Sequence, residues 1–179
     1  LNTPTDRYTT PAIALHWLLA LLILGSLAVG LYMTGLALTP TRLKLYNWHK
    51  WAGSVILALS LLRLAWRLAH RPPAPVPMPA WQTRVFVLSH HALYALFIAV
   101  PLAGWAYSSA AGFPLVVFGV LPLPDFVPVD RDLAAVLKPL HKALAWALGA
   151  LSALHIAAAL KHQLIDRDHL LRRMMPGRR

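Results

Sequence analysis

The residues best suited to chemistry in this sequence are its nine histidines. Seven of them lie inside or at the ends of long apolar segments, where polar side chains are otherwise rare, and four of these are considered first: His16, His49, His141 and His155. An ionisable side chain within a membrane span marks a functional site by default. The chain contains no cysteine, which excludes disulfides, iron-sulfur clusters and covalently attached c-type haem. Histidine is therefore the main metal ligand that the sequence offers.

Membrane-spanning helices must position these histidines, because the chain is 58% hydrophobic and only 13% charged. We predict an all-α, integral membrane four-helix bundle that forms a single domain over residues 1–179. The predicted spans cover about 12–34, 48–69, 84–107 and 140–162, each long enough for the roughly 30 Å of hydrocarbon. A loop from Ser108 to Leu137 is predicted between the last two. The first apolar run is too long for a cleavable signal peptide, so we interpret it as a span.

The distribution of basic residues predicts the orientation of the bundle. Of the 17 lysines and arginines, eleven fall on the side that holds both termini and six on the other. Cytoplasmic loops carry the excess of Lys and Arg, so we expect both termini in the cytoplasm. The net charge of +11 then belongs to membrane-flanking loops, and no nucleic-acid partner is expected.

The depth of each histidine in the bundle separates the four candidates into two pairs. His141 and His155 are fourteen residues apart, about 21 Å along one helix and within about 40° of the same face. His49 matches His141 in depth, and His16 matches His155. An opposed pair of imidazoles suits axial ligation of b-type haem, whereas zinc prefers three or four ligands. The alternative is that these are interfacial histidines that bind no metal.

Neighbouring residues support a flat cofactor beside these histidines. Gly53 follows His49 by one helical turn and leaves space for a macrocycle. Arg63, fourteen residues beyond His49, can pair with a haem propionate. Arg67, one turn further, is a second candidate for the same role, or else extends to the membrane surface. His90 can contact a propionate or a quinone and is the main competitor of His16 as axial ligand.

The segments ALHW, WHKWAG, LRLAWRL, LYALFIAVPLAGW and LLRRMMPG, in this order and spacing, resemble the bacterial cytochrome b561 family. The resemblance covers nearly the whole chain. It implies two haem b groups in the bacterial inner membrane. It also implies that His16 and His155 ligate the cytoplasmic-side haem, and that His49 and His141 ligate the periplasmic-side haem.

The chain is most similar to the short members of this family, which are superoxide oxidases. That resemblance implies electron transfer from periplasmic superoxide to ubiquinone in the lipid bilayer. Basic residues near His49 and His141 are suited to steer an anion towards them: Arg42, Lys44, Lys50, Lys138 and Lys142. At the cytoplasmic end, we expect His162 to contact a quinone carbonyl or relay a proton, with Trp17 as a wall of the quinone site.

Two other functions are compatible with the same residues. The chain could be an electron-transfer subunit that passes electrons from a periplasmic redox partner protein to quinone. It could instead be a haem-free metal or proton transporter that uses the histidines directly. His70 and His169 are interpreted as loop residues. No carboxylate is expected to orient a histidine, so hydrolase chemistry has no support.

Overall fold

The computed structural model describes residues 7–74, 78–168 and 170–177, so His169, Arg178 and Arg179 lie outside the described residues. Four long helices dominate it, and each is long and apolar enough to cross a membrane. The predicted all-α membrane fold is therefore confirmed. The helices are α1 (Thr10–Thr34), α2 (Pro40–Ala69), α3 (Ala80–Ala110) and α4 (Arg131–Lys161).

All four helices begin earlier than the predicted spans, and in α2 and α4 capping side chains start the helix outside the apolar run. The Thr39 side chain accepts a hydrogen bond from the Arg42 amide, and Pro40 occupies the first turn of α2. The Asp130 carboxylate accepts from the amides of Asp132 and Leu133 at the start of α4. The predicted loop was therefore too long, since its last residues, from Arg131 onward, belong to α4.

A short hairpin connects α3 to α4. Strands β1 (Val116–Val117) and β2 (Leu121–Pro122) pair antiparallel, and the turn between them contains Phe118 and Gly119 with φ of 53° and 75°. The Trp51 indole donates to the Val116 carbonyl at 2.7 Å. This bond holds the hairpin against the side of α2.

The bundle packs as α1 on α2 and α3 on α4, with α2 against α3, while α1 and α4 make few contacts. One layer of buried residues contains members from every helix: Leu19 and Ile23 from α1, Ile56 from α2, Leu93 from α3 and Leu148 from α4. On α4, Leu148 lies midway in sequence between His141 and His155. Large apolar side chains such as Leu21, Leu88 and Leu154 point outward, as expected of a surface that faces lipid.

The end of the chain folds back across the bundle. A π-helical turn (His162–Asp166) follows α4, and Arg167 adopts a left-handed conformation with φ of 55°. A 3₁₀ helix (Leu170–Met174) comes next, and the Trp17 indole donates to the Met174 carbonyl at 2.6 Å. The C-terminal segment thus covers the end of the bundle nearest to His16.

The buried layer predicts a stability difference between two leucines of α1. Leu19 is 2% exposed and Leu21 is 69% exposed. We expect Leu19→Ala to destabilise the protein by about 2 to 5 kcal/mol because it leaves a cavity. Leu21→Ala removes a side chain that faces lipid and should change stability little. Thermal unfolding of the two variants in detergent tests this, and equal melting temperatures would contradict it.

Candidate functional site

The structure brings the four candidate histidines together as two opposed pairs. His16 of α1 faces His155 of α4, and we call these the first histidine pair. His49 of α2 faces His141 of α4, and these form the second histidine pair. The ring centroids are 6.2 Å apart in both pairs, with interplanar angles of 74° and 81°.

This separation fits one metal atom between the two rings of each pair. A metal-imidazole bond is about 2 Å long, and a ring nitrogen lies roughly 1 Å from the ring centre, so two opposed ligands need centroids about 6 Å apart. Six-coordinate haem iron takes one such nitrogen from each face. The geometry of both pairs therefore fits a haem with two axial histidines.

The second histidine pair borders a cavity that residues of all four helices line. The cavity contains about 430 Å³ of space free of atoms, part of which opens to the surroundings. Gly53 lies on its wall, and a methyl group added there would meet no atom within 4 Å. The space beside Gly53 is therefore open, as a flat macrocycle requires.

Both histidines of the second pair form a hydrogen bond through Nδ1, on the side of the ring away from its partner histidine. The Ser26 hydroxyl of α1 lies 3.1 Å from His49 Nδ1, and the Val100 carbonyl of α3 lies 3.0 Å from His141 Nδ1. A carbonyl only accepts, so His141 Nδ1 carries the hydrogen and Nε2 has a free lone pair. Each ring therefore retains Nε2 for a ligand in the gap.

A half-buried arginine accompanies the first histidine pair. The Arg63 guanidinium donates to the Ala12 carbonyl at 3.0 Å, one turn before His16, and lies 5.9 Å from the centre of the Tyr94 ring. This location suits a partner for an anionic group of a cofactor. Arg67 is exposed, which suits the surface alternative given above.

His90 also lies beside the first histidine pair, with its ring 5.2 Å from that of His155. Its Nδ1 donates to the Phe86 carbonyl at 2.7 Å. The shorter separation leaves less room for a metal atom with bonds of about 2 Å to each ring. The geometry therefore favours His16 over His90 as the partner of His155.

The five basic residues considered for anion steering fall into two groups. Lys50 donates to the Pro114 carbonyl at 2.9 Å, and Arg42 donates to the Leu36 carbonyl at 2.8 Å, so both are bonded to backbone. The other three are exposed and form no hydrogen bond or ion pair with any residue that the structure describes: Lys44, Lys138 and Lys142.

His162 does have a carboxylate that orients it, contrary to the sequence-based expectation. Its Nδ1 lies 2.6 Å from an Asp168 oxygen and 3.2 Å from an Asp166 oxygen. Lys161 pairs with Asp166 at 2.5 Å. The π-helical turn and the left-handed Arg167 bring these residues together, which regular helical spacing does not predict. His162 Nε2 remains available to a second partner.

Sequence reasoning missed Ser26, Val100 and two glycines that contact the second histidine pair. A methyl group on Gly30 would lie 3.2 Å from His49 Cε1, and one on Gly104 would lie 2.9 Å from His141 Cε1. In each helix the glycine follows the hydrogen-bonding residue by four positions. That spacing was a signal in the sequence, but it acquires meaning only when the facing histidine is known.

Comparison with known proteins gives concordant relatives over almost the entire chain. A model of the prokaryotic cytochrome b561 family matches residues 7–177. The chain is 36% identical to cytochrome b561 homolog 2 of Escherichia coli (strain K12) over 176 residues, which cover 97% of the chain and 93% of that protein. It is 33% identical to cytochrome b561 homolog 1 of the same organism over 181 residues, which cover 97% of the chain and 99% of that protein. It is also 31% identical to the probable superoxide oxidase CybB of Yersinia pestis over 174 residues, which cover 97% of the chain and 98% of that protein.

The open space beside Gly53 predicts a cofactor-specific effect of a single methyl group. We expect Gly53→Ala to lower the amount of haem b that copurifies with the protein, because the methyl group enters the cavity beside His49. Gly25→Ala is the matched control, since it also meets no atom within 4 Å but does not line this cavity. Pyridine haemochrome assays measure the haem content, and equal values for both variants would contradict the prediction.

Proposed function

The chain belongs to the prokaryotic cytochrome b561 family, and we propose that it oxidises superoxide on the periplasmic side of the bacterial inner membrane and reduces ubiquinone within it. Membership of this family implies b-type haem binding and electron transport. We further propose two haems per chain. The first histidine pair holds one and the second pair holds the other, with both termini in the cytoplasm.

The observation that carries this proposal is the repetition of one geometry at two depths. Both pairs have the same 6.2 Å separation, and both use α4, where fourteen residues separate His141 from His155. The two sites therefore lie about 21 Å apart along the helix. When bound, each haem supplies a carrier of one electron. Two carriers at these depths would connect opposite halves of the membrane.

The protein between the two pairs is mainly apolar. The buried layer that contains Leu19, Ile56 and Leu148 separates the two depths, and these side chains provide no hydrogen-bonding groups. Beside this layer, the buried Ser60 hydroxyl has no partner among the described residues. An apolar layer of this kind disfavours the passage of protons, whereas electrons can pass between carriers on either side of it.

At the end that contains the second histidine pair, the free lysines would attract the anionic substrate. Lys138 and Lys142 flank His141 on α4, and their exposed ammonium groups raise the local concentration of small anions. Superoxide gives up one electron and leaves as neutral dioxygen. The positive field therefore favours the arrival of the substrate and does not retain the product.

At the opposite end, His162 and Trp17 are the proposed quinone contacts. Ubiquinone takes up two electrons and two protons to become ubiquinol, so two superoxide anions are consumed for each quinone. The Asp168 carboxylate accepts a hydrogen bond from His162 Nδ1, which leaves Nε2 available to the quinone. When the imidazole is protonated, Nε2 can donate a hydrogen bond to a quinone carbonyl and then pass that proton on, which suits a group that relays protons from the cytoplasm.

A second function is favoured by the hairpin between α3 and α4. Phe113, Phe118 and Val120 are exposed there at the end of the bundle that holds the second histidine pair. A periplasmic redox partner protein could dock on these side chains and deliver electrons to the same haem. The chain would then be an electron-transfer subunit, and reduction by superoxide of the purified protein alone would be absent.

The proposed pairing predicts which haem each histidine variant loses. We expect His16→Ala and His155→Ala to lose the same haem, and His49→Ala and His141→Ala to lose the other, because one ligand of an opposed pair does not hold six-coordinate iron. Haem content per chain and the visible spectrum of the remaining haem measure this.

Two further histidines serve as controls for that experiment. His90→Ala should retain both haems, since its ring is too close to His155 for the same coordination. His70→Ala should also retain both, since the His70 ring stacks on Trp66 at 3.8 Å and hydrogen-bonds to the carbonyl of the same residue. Loss of a haem in His90→Ala together with retention in His16→Ala would assign the axial position to His90 instead.

The proposed steering predicts an effect of charge on the reaction with superoxide. We expect the double variant Lys138→Gln/Lys142→Gln to be reduced by superoxide more slowly, on the order of 10-fold at low ionic strength, because two cations are removed from the approach. Stopped-flow reduction of the haems, repeated at several salt concentrations, measures this.

Lys161→Gln is the matched control for charge, because Lys161 is exposed at the far end of α4. Its rate constant should equal that of the unmodified protein. A double variant with an unchanged rate and an unchanged salt dependence would contradict steering by these lysines. Haems that stay oxidised in superoxide even without substitutions would contradict the enzyme itself.

A further inference from the structure

We propose that Ser26 is a positioning residue for His49, and that its hydroxyl lowers the reduction potential of the haem held by the second histidine pair. This inference rests on the proposed function, because it requires a haem between His49 and His141. Its basis is a contact pattern that occurs twice at the second pair and is missing at the first.

On α1, Ser26 and Gly30 together form the surface behind His49. The hydroxyl lies 3.1 Å from Nδ1. One turn further, a methyl group on Gly30 would lie 3.2 Å from Cε1 and 3.7 Å from Nδ1. A methyl group there would force the imidazole back by a few tenths of an ångström, so glycine permits the close approach at which the serine hydroxyl meets the ring nitrogen. The residue pair therefore fixes both the position and the rotation of the ring.

On α3, Val100 and Gly104 form the equivalent surface behind His141. The Val100 carbonyl lies 3.0 Å from Nδ1. A methyl group on Gly104 would lie 2.9 Å from Cε1 and 3.1 Å from Nδ1. The order and spacing match those on α1, with an oxygen that binds Nδ1 and a glycine four residues later. Two different helices thus support the two rings in the same manner.

The first histidine pair has different surroundings. Among the described residues, neither His16 nor His155 hydrogen-bonds to a neighbouring helix through its ring, and no glycine lies in contact with either ring. The nearest polar neighbours are instead Arg63, bonded to the Ala12 carbonyl, and His90. The two proposed haems would therefore have axial ligands with unequal electronic surroundings.

The chemical consequence follows from the direction of the hydrogen bond. When Nε2 of His49 binds iron, Nδ1 carries the hydrogen and donates it to the Ser26 hydroxyl oxygen. Such a bond raises the basicity of a ligating imidazole and fixes its tautomer. A more basic ligand stabilises ferric iron relative to ferrous iron, so the potential falls. The Val100 carbonyl acts on His141 in the same direction but cannot be removed by changing a side chain.

This inference assigns Ser26 a role that its removal should reveal directly. We expect Ser26→Ala to raise the reduction potential of one haem and leave the other unchanged, with two haems still bound. Redox titration followed by visible spectroscopy measures both potentials. The spectra of His141→Ala and His155→Ala identify which component belongs to which pair.

Three further variants separate the hydrogen bond from a general effect of substitution. Ser54→Ala removes a hydroxyl that bonds only to the Trp51 carbonyl of its own helix, and both potentials should stay unchanged. Ser26→Thr keeps the hydroxyl and should retain the potential of the unmodified protein. Gly30→Ala, which pushes the His49 ring away from Ser26, should shift the same haem as Ser26→Ala does.

Several results would overturn the inference. Unchanged potentials in Ser26→Ala with both haems bound would show that the contact does not tune the haem. Equal shifts of both haems would show a global effect. Loss of the haem in Ser26→Ala supports the inference if Ser26→Thr retains that haem at its native potential, and overturns it if Ser26→Thr loses that haem as well. Retention of both haems in His49→Ala is a separate result, and it would contradict the proposed ligand pairs themselves.

Discussion

The imidazole rings of each histidine pair are half-buried and face each other within an apolar bundle. A polar nitrogen in largely apolar surroundings is stabilised when it gains a partner, so each gap favours a ligand that binds both rings. The chain contains this arrangement twice, with the same 6.2 Å separation. The rings are held at these two depths because α1 packs closely on α2, and α3 on α4. The sparse contact between α1 and α4 leaves room for the facing rings, and the apolar layer around Leu19 and Leu148 lies between the two depths.

The fold and the histidine pairs follow from the sequence because an α-helix has a nearly constant rise per residue. Fourteen residues between His141 and His155 were enough to predict a shared face, and matching depths then selected His49 and His16 as partners. Contacts made across helices were beyond this reasoning. Ser26 and Gly104 are distant in sequence from the histidines that they contact, and the bond between Asp168 and His162 needs a π-helical turn followed by a left-handed residue. The early start of α4 was missed because its apolar run begins after Pro139, whereas the capping residue is Asp130.

The two ends of the bundle are built for different tasks. Around the second histidine pair, backbone and hydroxyl oxygens hold the rings, and Lys138 and Lys142 remain free to attract an anion. Lys50 was one of the five residues predicted to steer an anion, and the structure shows it bonded to the Pro114 carbonyl, where it also holds the segment before β1. Around the first pair, Arg63 and His90 provide polar contacts, and the C-terminal segment brings His162 and Asp168 to the same end. These differences agree with the proposed electron flow from an anionic donor at one face to a quinone at the other.

The most direct test of two haems, each between two opposed histidines, is the low-temperature electron paramagnetic resonance spectrum of the oxidised protein. The imidazole planes are nearly perpendicular in both pairs, with interplanar angles of 74° and 81°. Axial imidazoles in this orientation give strongly anisotropic low-spin ferric signals. We therefore expect two such signals, which together account for two haems per chain. A stoichiometric high-spin signal, or one low-spin signal from a single haem per chain, would contradict the proposed arrangement.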